Sequence, residues 1–111
     1  MNRQQRSNQR SLALHRAIAD KLRQHPELWR ISQNNIKRWK EKMGGLPPAL
    51  LEWEYLLKNR SKRQILTLLE NSQEEAIRLR SSSPFAGILT QEERMKIFKI
   101  FQTTHVNETR I

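Results

Sequence analysis

Residues suited to catalysis are few in this chain, and their spacing matches no established site. There are three histidines and no cysteine, and no pair of histidines has the spacing of a metal site. Glu74 and Glu75 are adjacent, so they lie on different faces of a helix and suit the positive N-terminal end of one. Gly44 and Gly45 lack the surrounding pattern of a phosphate-binding loop. The sequence therefore predicts no metal, no cofactor and no catalytic residue.

One pair of residues resembles a nuclease motif. Arg10 and His15 form an R-x4-H pattern that is similar to the active-site motif of HEPN-type ribonucleases. In that family an arginine and a histidine about one helical turn apart act together on the RNA phosphodiester. A chain so rich in arginine is expected to contain such a match by chance, and Arg10 precedes the predicted start of the first helix. We interpret His15 as an exposed helical histidine and expect a non-catalytic protein.

The basic residues point to a binding function. The chain has 21 lysines and arginines against 11 acids, a net charge of +10, and residues 1–63 hold the whole excess. This asymmetry indicates a nucleic-acid surface, an acidic protein partner or an anionic membrane surface. The alternative is a solvated basic face that only keeps the protein soluble. The candidate phosphate contacts are Arg3, Arg6, Arg10, Arg16, Arg23, Arg30, Lys37, Arg38, Lys40 and Lys42.

The three tryptophans have two possible roles. Trp29, Trp39 and Trp53 could stack on nucleic-acid bases. Their spacing relative to Ile36 and other apolar residues is helical, however, which favours packing in the core.

The sequence SSSPFAGIL, hereafter the 81–89 segment, is unusually apolar for a connection between helices. Its large side chains could close the base of a helical core. Alternatively, they could bind a groove of a partner, where a few buried apolar groups supply most of the affinity. The predicted partner contacts, with an arginine from the next helix, are Pro84, Phe85, Gly87, Ile88, Leu89 and Arg94.

Helical periodicity and helix-breaking residues predict the elements that position these groups. Ser11 is the expected N-cap of a first helix over residues 12–24, and Pro26 is expected to open a second that ends at Gly44 and Gly45. A third follows over residues 49–58.

Three capping-box patterns predict further helix starts. The pairs are Ser61 with Gln64, Ser72 with Glu75 and Thr90 with Glu93. No stretch alternates apolar and polar residues as a strand would.

Length and composition fix the expected organisation. At 111 residues with 36% hydrophobic residues, we expect a single helical domain over residues 11–102. Residues 1–10, with three arginines, are expected to form a disordered basic arm, and residues 103–111 a short flexible tail. No membrane span or signal peptide is apparent, and the lack of cysteine favours the cytoplasm.

Three stretches carry a resemblance to a known family. They are SLALHRAIADKL at 11–22, GGLPPALLEWEYLL at 44–57 and SSPFAGILTQEER at 82–94. They resemble small bacterial antitoxins of toxin–antitoxin modules, including modules whose toxin is a nucleotidyltransferase. The resemblance spans residues 11–102. It implies a chain that covers the active site of a toxin and binds its own promoter.

The expected fold is an all-α, irregular bundle of five or six short helices. The expected function is that of a protein-binding regulator, an antitoxin that neutralises a cognate toxin by direct binding. The alternative is a basic protein that binds DNA or RNA and has no toxin partner.

Overall fold

Six α-helices follow one another along the chain in the computed structural model, which describes the backbone of residues 2–109 and the side chains of residues 2–102. The predicted all-α fold is confirmed, since the described residues contain no strand. A short 3₁₀ turn, Pro26–Leu28, separates the first two helices. The helices are α1 Arg3–Gln24, α2 Trp29–Met43, α3 Pro48–Asn59, α4 Lys62–Glu70, α5 Glu74–Arg80 and α6 Gln91–Thr109.

Helix α1 begins nine residues earlier than Ser11 would place it. Asn2 is the N-cap: its side chain accepts from the Gln5 backbone N–H at 2.8 Å, and the Gln5 side chain accepts from the Asn2 backbone N–H at 3.1 Å. Ser11 therefore lies inside the helix, and its assignment as N-cap is wrong. A disordered arm over residues 1–10 is not confirmed, because residues 3–10 are helical.

Two of the three predicted capping boxes form. Ser61 and Gln64 exchange hydrogen bonds of 3.1 and 2.9 Å at the start of α4. Thr90 and Glu93 do the same at the start of α6, at 3.1 and 2.7 Å. The Ser72 box does not form. The N-cap of α5 is Gln73, whose backbone N–H donates to the Asn71 side chain at 2.6 Å.

Glycine ends α2, as predicted. Gly44 has φ of +69°, a left-handed conformation that a residue with a Cβ adopts at a steric cost. The Gly45 N–H donates to the carbonyl of Lys40 at 3.0 Å, which satisfies one of the last free carbonyls of the helix. The chain then turns through Pro47 into α3.

The core centres on aromatic side chains from three parts of the chain. Trp53 of α3 and Trp29 of α2 contact the Phe85 ring edge-to-face, with centroids 5.4 and 6.2 Å away. Helix α1 packs along α4 and α6, and its Ala19 and Leu22 are buried. The predicted core role of the tryptophans holds for Trp29 and Trp53, whereas Trp39 is only half-buried.

The backbone of α6 is helical to Thr109. The prediction of a flexible tail concerns residues 103–111, whose side chains lie outside the described residues.

Candidate binding surfaces

The large apolar side chains of the 81–89 segment lie inside the protein. Phe85 is 1% exposed and Ile88 2% exposed, and Leu89 and Pro84 are buried as well. Their burial in the folded chain does not favour the prediction that these four residues contact a partner, although Phe85 and Leu89 line the wall of a cavity. They close the base of the helical core, which was the alternative interpretation.

Asn35 of α2 holds this segment in place. Its side-chain amide donates to the carbonyls of Pro84 and Ala86, at 3.0 and 2.8 Å, and its own oxygen accepts from Arg38. Asn35 is buried, so these bonds satisfy groups that water cannot reach. The sequence analysis missed this residue. Its position three residues after Ser32 and next to Ile36, both buried on α2, was the available signal.

Gly87 and Arg94 are the predicted partner contacts that remain exposed. They lie at the edge of a cavity of about 240 Å³, whose apolar wall includes Leu14 and whose polar wall includes His15 and Ser83. Gly87 has φ of +90°, which lets the chain turn from Phe85 back into the core at Ile88.

His15 lies in the wall of this cavity and is buried, so its interpretation as an exposed histidine is wrong. Its Nδ1 lies 2.7 Å from the carbonyl oxygen of Ser11 and must donate to it, which leaves Nε2 as an acceptor. Burial lowers the pKa of His15 below 6.5; the bond to Ser11 opposes this, and the charge of Arg80 adds to it. A neutral imidazole is the result.

Arg80 is a second buried polar residue that the sequence analysis missed. Its guanidinium donates to the carbonyls of Leu68, at 2.9 Å, and of Asn71. These carbonyls belong to the C-terminal end of α4, where a cation offsets the negative end of the helix dipole. Arg80 therefore ties α5 to α4 and has a structural role.

The predicted phosphate contacts other than Arg6 fall into two groups. Arg23 pairs with Glu70 and Asp20, Lys40 pairs with Glu54, and Arg38 bonds to Asn35. These three cations thus already have partners within the folded chain. The exposed cations for which the described part of the chain shows no hydrogen bond or ion pair are Arg3, Arg10, Arg16, Arg30, Lys37 and Lys42.

Helices α1 and α6 bring arginines together around one aromatic ring. The Arg10 and Arg94 guanidiniums each lie 5.5 Å from the centroid of the Phe98 ring, a cation–π distance. Arg6 and Arg10 also line a shallow depression with Phe98 and Phe101. We call these residues the Phe98 cluster: Arg6, Arg10, Arg94, Phe98 and Phe101.

A groove of about 330 Å³ separates α2 from α3. Ile36 and Leu57 are the apolar residues that line it, and we call them its floor. The polar residues that line it are Gln33, Lys37, Lys40, Glu54 and Lys58. The Lys40 ammonium lies 3.2 Å from a Glu54 carboxylate oxygen across the groove. We call this feature the α2–α3 groove.

Two large apolar side chains of α3 are exposed beside this groove. Leu51 is 47% exposed and Tyr55 58% exposed. They lie one helical turn apart, and they share a helical face with Glu54 and Lys58, which line the groove. On α3, Glu54 and Lys58 lie between this pair and Leu57, and Tyr55 also lines a second depression with Leu56 and Leu68.

The chain was compared with protein-family models, curated proteins and solved structures, and none of the three comparisons gave a match. Within residues 2–102, no group of histidine and acidic side chains is arranged to hold a metal ion. No helix in the described chain is long and apolar enough to cross a membrane.

Proposed function

We propose that the protein is a non-catalytic regulator that binds a protein partner in the cytoplasm. The observation that carries this proposal is the pair Leu51 and Tyr55, exposed beside an apolar groove. Large apolar side chains exposed one helical turn apart favour a protein–protein contact, since covering them removes apolar area from water. Tyrosine is also among the residues that contribute most to binding energy at interfaces.

The partner that we propose is a toxin of a toxin–antitoxin module, as the resemblance of residues 11–102 implies. The proposed contact surface differs from the one that the sequence suggested. The 81–89 segment is committed to the core, so contact falls to α3 and the groove beside it. A toxin that binds there would be neutralised through coverage of its active site by the body of the helical domain.

Purification of the tagged full chain from its native host, at native expression, tests this proposal. We expect one protein to co-purify in a fixed stoichiometry. Expression of that protein alone should arrest growth, and co-expression of the present chain should restore it. A co-purified protein that does not affect growth would contradict the antitoxin role. Recovery of nucleic acid with no protein would contradict the proposal as a whole.

The Phe98 cluster supports a second candidate function, the binding of nucleic acid. Arg10 and Arg94 come from different helices and flank the same ring. Arginines attract the phosphate backbone, and the contacts with the Phe98 ring hold these two side by side. This site is compatible with a protein partner on α3, because it involves only α1 and α6.

A further inference from the structure

The α2–α3 groove has a charge pattern that restricts what can occupy it. Three lysines line it against one glutamate, and Glu54 already pairs with Lys40. Lys37 and Lys58 are exposed, and the structure shows neither of them bonded to any described carboxylate. A wholly apolar occupant would leave these ammonium groups against apolar surface, which is costly. The occupant must therefore carry negative charge where it meets Lys37 and Lys58.

The floor of the groove excludes a purely polyanionic occupant. Ile36 and Leu57 gain nothing from contact with a phosphate backbone, and the Glu54 carboxylate would repel it. Apolar side chains from the occupant would instead cover this floor. The best complement is thus apolar on one face and acidic at its edges.

The walls of the groove determine which backbone conformation the occupant can have. Both walls are helices, and α2 and α3 already satisfy their backbone groups internally. An extended peptide would find no sheet edge here, so its own N–H and C=O groups would lack partners once buried. A helix satisfies them within itself.

We infer that the α2–α3 groove receives an amphipathic helix of the partner protein, whose apolar face covers Ile36 and Leu57 and whose flanking glutamates or aspartates pair with Lys37 and Lys58. The inference rests on the proposed function and adds to it the chemistry of the partner segment. Charge complementarity at Lys37 and Lys58 should speed association and select acidic helices over basic ones.

A synthetic helix tests this directly with the full-length chain. The probe is a fluorescent peptide of about 15 residues, long enough to be partly helical, with leucines on one face and glutamates on the other. One reference peptide replaces the glutamates with lysines, and a second replaces the leucines with serines. Fluorescence anisotropy should show saturable binding of the acidic amphipathic peptide and much weaker binding of both references.

Charge reversal locates the site. The double variant Lys37→Glu, Lys58→Glu should bind the acidic peptide about tenfold more weakly and bind the basic peptide better than the wild type does. The matched control is Lys42→Glu, Lys96→Glu, which makes the same change in net charge at exposed positions outside the groove. It should alter affinity by only about twofold. All four lysines are exposed, so both variants should keep the wild-type unfolding midpoint.

Three results with the peptides and the variants would overturn the inference. They are absence of binding by the acidic amphipathic peptide, equal binding of the acidic and basic peptides, and equal weakening by the two charge-reversal pairs. The inference would also be overturned if duplex DNA displaced the bound acidic peptide as well as the unlabelled peptide does, because the groove would then be a general anion-binding surface. The proposed function fails separately, through the absence of a stoichiometric partner. If the native partner binds the Lys37→Glu, Lys58→Glu variant as tightly as the wild type, only the inference is lost.

Discussion

Phe85 contacts two tryptophans and is almost completely shielded from water. Its replacement by alanine would leave a cavity between Trp29 and Trp53. We expect Phe85→Ala to lower the free energy of unfolding by about 3–5 kcal/mol, measured by urea denaturation. Leu51→Ala is the matched control, because Leu51 is half-exposed, and its effect should stay within about 0.5 kcal/mol. Wild-type stability of Phe85→Ala would show that the 81–89 segment is not part of the core.

His15 should make stability depend on pH. Burial lowers the pKa of His15 in the folded chain below its ordinary value of 6.5, so the unfolded chain binds a proton more readily. The contribution of a neutral His15 to stability is therefore complete above pH 6.5 and is lost as the pH falls below it.

The measurement is urea denaturation at several pH values between about 5 and 7. In this range, Asp and Glu carboxyl groups with ordinary pKa values stay ionised. His15→Gln should show a flatter dependence of the unfolding free energy on pH than the wild type, whatever its absolute stability. Parallel curves for the two proteins would contradict the account of His15.

At the scale of elements, the two serines that begin predicted capping boxes provide a matched pair. Ser61 accepts a hydrogen bond from the Gln64 backbone, whereas Gln73 is the N-cap of α5 and no cap bond of Ser72 is present in the described structure. Ser61→Ala should cost about 1 kcal/mol of unfolding free energy. Ser72→Ala should change it by less than about 0.5 kcal/mol. Thermal or urea unfolding of both variants decides this, and equal effects would contradict the assigned helix starts.

The helices that the sequence predicted well are those with local signals at their ends. Gly44 ends α2 through its backbone conformation, and Ser61 starts α4 through a bond three residues away. The early start of α1 was missed, because residues 3–10 have no apolar periodicity. Its cap at Asn2 is local, but the contact of Arg10 with Phe98 joins distant parts of the chain.

The candidate sites depend on contacts between residues distant in sequence more than the helix boundaries do. The apolar residues of the 81–89 segment were identified, but their burial depends on Asn35 and Trp53, which lie far away in sequence. The α2–α3 groove likewise depends on how two helices pack. Composition predicted the basic character of the surface, yet only the structure separates paired cations such as Arg23 from unpaired ones such as Arg3.

At the scale of the whole molecule, the excess positive charge should cause the protein to bind nucleic acid with an affinity that depends on salt. Each phosphate contact contributes about 0.9 to the slope of log affinity against log salt. Loss of Arg10 and Arg94 together, by Arg10→Gln, Arg94→Gln, should therefore reduce that slope by about 2 on duplex DNA, for unrelated sequences alike.

Arg23→Gln is the control for this measurement. Its guanidinium pairs with Glu70 and Asp20, so its loss should alter the salt slope less than loss of an arginine in the Phe98 cluster. Absence of any wild-type binding to DNA or RNA at low salt would contradict the second candidate function.

The central claim is that α3 presents the surface that contacts a protein partner. The most direct measurement is the affinity of the co-purified partner, by isothermal titration calorimetry, for the double variant Leu51→Ser, Tyr55→Ser. The control is Met95→Ser on α6, since Met95 is 52% exposed, close to the exposure of the two α3 residues. We expect the α3 variant to lose about 2 kcal/mol or more of binding free energy, roughly a thirtyfold loss in affinity, and the Met95 variant to bind as the wild type does. Wild-type affinity of the α3 variant would contradict the claim.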